Sequence, residues 1–200
     1  MTATKRSSVA PPGGRLRGWL RAAATLACAL AVALPAGAQT TSVPLERAVK
    51  AAFVYKFLAY VEWPATSFES ADTPLVIGVQ GADDIAAELQ QIVAGRAVGD
   101  RPLLVKRLRE GDAVAGLHVL VVGKSEAARI APLARALQGR PTLVITESPA
   151  GLNAGSMINL VVAPDGRIRF EVALDPVDRA GLKLSSRLLA LAQAVRPGGS

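Results

Sequence analysis

The amino-acid sequence predicts an α/β fold: a single three-layer domain in which a mostly parallel sheet is covered by helices, with an antiparallel hairpin near the C-terminal side. Short, continuously apolar runs alternate with helical segments, which is typical of parallel strands that are buried on both faces. Near the C-terminus, apolar and polar residues alternate on both sides of "PDGR" (164–167), which indicates two antiparallel strands joined by a turn.

The first predicted helix runs from Leu45 to Trp63, where apolar residues recur at helical spacing. Pro44 and Glu46 suit its first turn, because a missing amide hydrogen costs nothing there and a negative charge favours the helix dipole.

Four apolar runs between this helix and the hairpin are predicted strands: "PLVIGVQG" (74–81), "RPLLVKRL" (101–108), "LHVLVVG" (117–123) and "TLVITES" (142–148). Two helices alternate with them, "DDIAAELQQIVAG" (83–95) and "SEAARIAPLARALQG" (125–139). Ser125 is the expected side-chain cap of the second one. A last helix is predicted to begin at Asp175 and Pro176 and to run through "AGLKLSSRLLALAQAV".

Residues 1–38 have the build of a secretory signal peptide. Five basic residues and no acid come first, the apolar run Ala22–Leu34 follows, and Ala36 and Ala38 precede a cleavage point after Ala38. The apolar run has 13 residues, fewer than the roughly 20 that a membrane-crossing helix needs. We therefore expect an exported protein, with 39–47 as a short N-terminal lead-in, 48–196 as the α/β domain and 197–200 as a flexible tail.

Removal of this leader changes the charge of the chain. The formal net charge of the whole chain is +7, but the 18 basic and 16 acidic residues that remain give +2, so we expect no nucleic-acid partner. Cys28 is the only cysteine and leaves with the leader, so no disulfide is expected although an exported protein could form one. A lasting membrane anchor, including lipidation at Cys28, is the alternative to cleavage.

Five of the eight aromatic residues lie between Lys50 and Pro64. Most of the large apolar side chains in this segment share one helical stripe, which predicts contact with the core: Phe53, Val54, Phe57, Leu58, Tyr60 and Val61.

Two aromatic residues of the same segment project to the opposite side of the predicted helix. Tyr55 and Trp63 fall there with Lys56 and Glu62, above small residues. Exposed aromatic side chains edged by charges have the composition of an interaction hot spot. The alternative is that a neighbouring loop, "PATSFES" (64–70), folds back over them. We interpret Tyr55, Lys56, Glu62 and Trp63 as candidate partner-binding residues.

"VKAAFVYKFLAYVEWP" resembles the opening motif of the YfiR family of exported bacterial proteins, which carries a Tyr-x-Phe-x-x-x-Val-Glu-Trp-Pro pattern. "GSMINLVVAPDGRIRFEVALD" is similar to the hairpin of that family, and "RAGLKLSSRLLALA" (179–192) is similar to its C-terminal signature. The resemblance spans residues 49–195, nearly all of the chain after the leader.

The resemblance implies a periplasmic negative regulator that acts by protein contact. Such a protein holds a membrane-bound diguanylate cyclase inactive by binding its periplasmic sensor region, which lowers cyclic-di-GMP and restrains biofilm formation. An outer-membrane, peptidoglycan-binding lipoprotein sequesters the regulator and releases the cyclase. The family also implies a homodimer. Many relatives carry cysteine pairs, and this chain has none after its leader, so disulfide control does not transfer to it.

The sequence offers no recognisable catalytic, cofactor-binding or metal-binding motif. His118 is the only histidine, and in an apolar strand its expected role is structural. Because no cysteine remains after the leader, the common zinc and haem sites have too few donors. Asp83 and Asp84 begin a helix, where carboxylates satisfy free amides, and Ser185 and Ser186 have no partner base. We therefore expect no enzymatic activity, no metal and no cofactor.

A second hypothesis is a periplasmic protein that senses a small molecule and feeds a different membrane signalling partner. In open α/β sheets, ligands bind outside the carboxyl ends of the strands. Those ends are expected near Gly81, Gly123 and Ser148 in this chain.

Overall fold

A computed structural model describes residues 42–198. The predicted leader and its cleavage point after Ala38 lie outside the described residues. The part that is described forms five α-helices: α1 (Ser42–Phe57), α2 (Asp83–Val93), α3 (Ile130–Ala136), α4 (Leu174–Arg179) and α5 (Ser186–Leu191). Short 3₁₀ turns lie at Leu58–Tyr60, Ala65–Ser67, Lys124–Arg129 and Leu152–Ala154.

Ten strands accompany these helices: β1 (Val61–Glu62), β2 (Leu75–Gln80), β3 (Ala97–Val98), β4 (Arg101–Leu108), β5 (Val119–Val122), β6 (Leu143–Thr146), β7 (Ile158–Val162), β8 (Ile168–Ala173), β9 (Lys183–Leu184) and β10 (Ala194–Arg196). Eight of them form one sheet in the order β10-β8-β7-β6-β5-β2-β4-β3, and β1 pairs with β9 in a separate ribbon.

The main sheet is mostly parallel, as predicted. Five of its seven strand pairs are parallel, and the exceptions are β7 with β8 and the short β3 with β4. β7 and β8 are the predicted hairpin, in which Ile158 lies opposite Val172 and Val162 opposite Ile168. The "PDGR" turn closes with a 2.9 Å hydrogen bond from the amide of Ala163 to the carbonyl of Arg167.

Two apolar cores on opposite faces of the sheet give the domain its three layers. The larger core packs α1 and α2 against one face, and includes Val54 and Leu89 with Ile77 and Ile145 from the central strands. The smaller core packs α3 against the other face, through Ile130 and Leu133. The fold class predicted from the sequence is therefore confirmed.

The first helix ends six residues earlier than predicted. The chain tightens into a 3₁₀ turn after Phe57, and Val61 is already extended (φ −111°, ψ 133°). Pro64 excludes Trp63 from the helix, because a proline disfavours helical geometry in the residue before it. Pairing of β1 with β9 then provides hydrogen-bond partners for the extended backbone. A projection onto a helical wheel is consequently valid only as far as Phe57.

Two later helices are also shorter than predicted. An α-helix from Ser125 would need an amide hydrogen at Pro132, so Lys124–Arg129 forms a 3₁₀ turn and α3 begins at Ile130. Ser125 caps no helix and instead donates from its hydroxyl to the carbonyl of Gly81 (2.8 Å).

The predicted C-terminal helix is divided into α4, β9, α5 and β10. Gly181, at φ +68°, ends α4 in a left-handed conformation, and Ser185 then caps α5 by accepting from the amide of Leu188 (3.3 Å). The predicted cap at Asp175 is wrong, because the helix begins one residue earlier and Asp175 lies in its first turn.

Candidate functional site

Tyr55 and Lys56 lie together in the last turn of α1. They line a shallow depression of about 370 Å³ with Ala59, Tyr60 and residues 97–99, which form β3 and the start of the turn after it. Lys56 is exposed, and Tyr55 is partly buried because it packs against the larger core. The guanidinium carbon of Arg96 lies 5.3 Å from the centroid of the Tyr55 ring, within the range of a cation–π interaction.

Glu62 and Trp63 do not line this depression. Glu62 is exposed on β1, opposite Lys183 of β9. Trp63 is partly buried against the larger core, and its indole N–H donates to the carbonyl of His118 (3.2 Å). The structure therefore brings together Tyr55 and Lys56, and it separates Glu62 and Trp63 from their depression because the helix ends at Phe57.

The loop between β1 and β2 packs around the residue that Trp63 contacts. The Phe68 ring stacks on the His118 ring with a 4.5 Å centroid distance and a 10° interplanar angle. The Arg101 guanidinium carbon lies 3.7 Å from the Phe68 centroid, and Arg101 also donates to three loop carbonyls, those of residues 70, 71 and 73. The "PATSFES" segment thus folds onto His118, the residue to which Trp63 is bonded.

His118 lies immediately before β5, and both nitrogens of its ring are hydrogen-bonded to the backbone, in keeping with the structural role that was expected. Its Nδ1 accepts from the amide of Val76 (3.1 Å), so Nε2 carries the hydrogen and donates to the carbonyl of Ser67 (3.1 Å). Burial lowers the pKa of His118 below its ordinary value; the hydrogen bond to Ser67 opposes this, and the positive charge of Arg101 adds to the lowering. The neutral imidazole therefore joins the loop to the sheet.

A buried ion cluster that the sequence analysis missed attaches α1 to the sheet. The Lys50 ammonium lies 2.5 Å from Glu147 Oε2, after β6, and 2.5 Å from Glu46 Oε1, one turn earlier on α1. Burial alone would lower the pKa of Lys50, but its hydrogen bonds to the two carboxylates outweigh that effect and raise it. The sequence does contain a sign of this cluster, because the basic residue Lys50 falls on the apolar stripe, one turn before Val54 and two turns before Phe57.

The carboxyl ends of β2 and β5 are closed against each other. The amide of Gly123 donates to the carbonyl of Gln80 (2.8 Å), and a Cβ atom at Gly123 would collide with the carbonyl oxygen of Gly81. Ser148 is buried, and its amide donates to Asn159 Oδ1 (3.1 Å). Space for a ligand lies beside these loops rather than between them.

An open cavity of about 290 Å³ is the nearest space to the ion cluster. It is lined by charged side chains of both signs, among them Arg47, Lys50, Asp84, Lys124 and Glu147. None of Gly81, Gly123 and Ser148 lines it, but Lys124 and Glu147 do, and they follow the carboxyl ends of β5 and β6, the side of the sheet where the second hypothesis expects a ligand.

Over residues 42–198, no three histidine, cysteine, aspartate or glutamate side chains meet in a way that would hold a metal ion. Within the same residues, no helix has both the length and the apolar character needed to cross a membrane.

A family model described as YfiR/HmsC-like matches residues 47–193 of the chain. No curated protein matches this chain in sequence. The matched segment begins in α1 and ends just before β10, so it includes Tyr55, Lys56, Glu62 and Trp63.

Proposed function

Because this chain belongs to the YfiR/HmsC-like family, we propose that it is a periplasmic regulatory protein that represses an inner-membrane diguanylate cyclase. It binds the periplasmic sensor region of the cyclase, lowers cyclic-di-GMP and restrains biofilm formation. The observation that carries the proposal is the family match across residues 47–193, nearly all of the described domain.

The proposed contact surface comprises Tyr55, Lys56, Glu62 and Trp63. Tyr55 and Lys56 support it most directly, since they share one depression at the end of α1. Trp63 would contribute only the exposed part of its ring, because the rest packs against the core. Aromatic and charged side chains around a shallow, solvent-accessible depression are frequent in protein interfaces.

Two further parts of the proposal concern assembly. The regulator forms a homodimer, and an outer-membrane, peptidoglycan-binding lipoprotein competes with the cyclase for it. Both parts extend the family resemblance, and analytical ultracentrifugation of the purified protein, alone and with each partner, tests them.

Deletion of the gene tests the proposal in cells. Cyclic-di-GMP measured by mass spectrometry and surface attachment should both rise, and the wild-type gene supplied in trans should reverse both. A Tyr55→Ala/Lys56→Ala variant should fail to reverse them, whereas a Lys106→Ala/Arg140→Ala control, which alters exposed residues outside the depression, should succeed. Unchanged cyclic-di-GMP after deletion contradicts the proposed function.

A second candidate function is a sensor of a small molecule that controls a different membrane partner. The observation that favours it is the cavity of about 290 Å³ lined by charges of both signs. Native mass spectrometry of protein purified from its own host distinguishes the two functions. A stoichiometric bound metabolite supports the sensor, and an unmodified mass together with tight binding to the cyclase's periplasmic domain supports the repressor.

A further inference from the structure

Two helices end beside the same depression, and each brings a cation to it. Lys56 lies in the last turn of α1. α2 ends at Val93, and Gly95, at φ +67°, turns the chain so that Arg96 reaches Tyr55. The amide of Arg96 donates to the carbonyl of Val93 (2.9 Å), which fixes its backbone. One cation therefore lies near each of the two helix ends, Lys56 in the lining of the depression and Arg96 over its Tyr55 ring.

The walls of the depression are small and mostly apolar. Ala59, Ala97 and Val98 contribute little bulk, and Gly99, at φ +59°, begins the two-residue turn that joins β3 to β4. β3 is the last strand of the sheet at this end, so solvent reaches the depression from the side. Tyr55 and Tyr60 complete the lining, so the depression combines two aromatic rings with small apolar side chains.

The charges around the depression are unbalanced. Lys56 and Arg96 are both exposed, and within residues 42–198 neither has a carboxylate oxygen within 4 Å. The lining contains no acidic residue, although Asp100 follows Gly99 in the turn. Cations at helix C-termini also stabilise the helices themselves, so position alone does not assign them a binding role. The second observation is that the Arg96 guanidinium lies over the ring of Tyr55, which lines the depression beside Lys56.

We propose that this depression receives an acidic segment of the partner, with Lys56 and Arg96 pairing its carboxylates and Tyr55 packing on its apolar side chain. The inference rests on the proposed function for the identity of the partner, the periplasmic region of the cyclase. It adds Arg96 to the contact surface and assigns the chemistry of the bound segment. The planar guanidinium of Arg96 suits two-pronged pairing with a carboxylate, and the flexible Lys56 ammonium suits a second one nearby.

NMR with defined peptides tests the chemistry without the cyclase. The probe is the blocked peptide acetyl-Glu-Leu-Asp-Glu-Leu-Glu-amide, added to isotope-labelled protein, and its control has lysine at each acidic position. The acidic peptide should shift the amide signals of Tyr55, Lys56 and Arg96. Raising NaCl from about 50 to about 200 mM should weaken the binding several-fold, because these charges are exposed. Absent shifts at these three amides, or equal binding of the lysine peptide, overturn the inference.

Charge-reversal variants test the inference in the complex with the cyclase's periplasmic domain. Lys56→Glu/Arg96→Glu should weaken binding to the cyclase's periplasmic domain at least tenfold. Lys106→Glu/Arg140→Glu makes the same change in net charge away from the depression and should leave binding within about twofold of wild type. If loss of the helix-end cations unfolds the first variant, as circular dichroism would show, Lys56→Gln/Arg96→Gln replaces it and should weaken binding several-fold.

The two proposals fail in different ways. If gene deletion raises cyclic-di-GMP and the Lys56→Glu/Arg96→Glu variant still lowers it, the function stands and the acidic-segment inference is wrong. If deletion leaves cyclic-di-GMP unchanged while the acidic peptide still shifts Tyr55 and Arg96, the inference stands and the cyclase is not the partner.

Discussion

Replacing Lys50 by methionine should destabilise the domain by breaking the ion cluster between α1 and the sheet. Lys50 is 3% exposed, and its ammonium contacts both Glu46 and Glu147. Methionine keeps a stem of similar length and removes the charge, so Glu147 is left nearly buried without its cation. Breaking a buried ion pair by removing one partner typically costs about 3–5 kcal/mol of the free energy of unfolding.

The surroundings place the expected loss at the lower end of that range. Glu46 is one-third exposed and can be solvated, and the amide of Lys124 still donates to Glu147 Oε1 (3.1 Å) in the variant. We expect a loss of about 3 kcal/mol, which for a domain of this size lowers the melting temperature by about 6–12 °C.

Thermal melts followed by circular dichroism at neutral pH measure the effect. Lys50→Met/Glu147→Gln should recover part of the loss, because the second substitution neutralises the abandoned carboxylate, and Lys56→Met provides an exposed-lysine control on the same helix. The pKa of Glu46 is lowered, chiefly by its hydrogen bond from Lys50, so the stability that it contributes is present above pH 4.5 and lost as the pH falls through the lowered pKa. A Lys50→Met melting temperature equal to that of Lys56→Met would refute the reasoning.

Three other predictions follow from the packing of the sheet ends. The pKa of His118 is lowered by burial, so its stabilising effect is present above pH 6.5 and is lost as the pH falls through the lowered pKa. The melting temperatures of wild type and His118→Gln should therefore converge in acid. Two melting temperatures that change in parallel with pH would contradict this prediction. Arg101→Ala removes the cation over Phe68 and should cost about 1–2 kcal/mol in urea unfolding while raising amide exchange in the loop; wild-type exchange rates would count against it. Gly123→Ala places a Cβ atom against the carbonyl of Gly81 and should lower the free energy of unfolding by about 1–3 kcal/mol. An unchanged urea midpoint would show that the backbone at Gly81 shifts to accommodate the Cβ atom at no cost.

The sequence was sufficient to predict the six longest strands of the main sheet, β2 and β4 to β8, because a mostly apolar or alternating run marks each of them. "PLVIGVQG" became β2 (Leu75–Gln80), and "PDGR" became the turn of the β7–β8 hairpin. The buried stripe of α1 was equally readable, since Val54, Phe57 and Leu58 are all in the core. Local patterns specify these elements, so no knowledge of distant residues was needed.

The errors arose where distant residues decide the local conformation. Val61 and Glu62 read as helical, but they pair with Leu184 and Lys183, which no local pattern near Val61 reveals. The predicted position of Trp63 beside Tyr55 was affected by the same error, because Trp63 was projected onto a helix that ends at Phe57. Arg96 was missed for a related reason, since its contact with Tyr55 depends on how α1 and α2 pack.

The β1–β9 ribbon joins two points of the chain that are far apart in sequence. Val61 pairs with Leu184, so 123 positions separate the partners (184 − 61). Closing a loop of this length is slow, and it requires both ends of the domain to be available at once. A nascent polypeptide cannot complete this pairing until Leu184 has left the ribosome, when nearly all of the chain has been made.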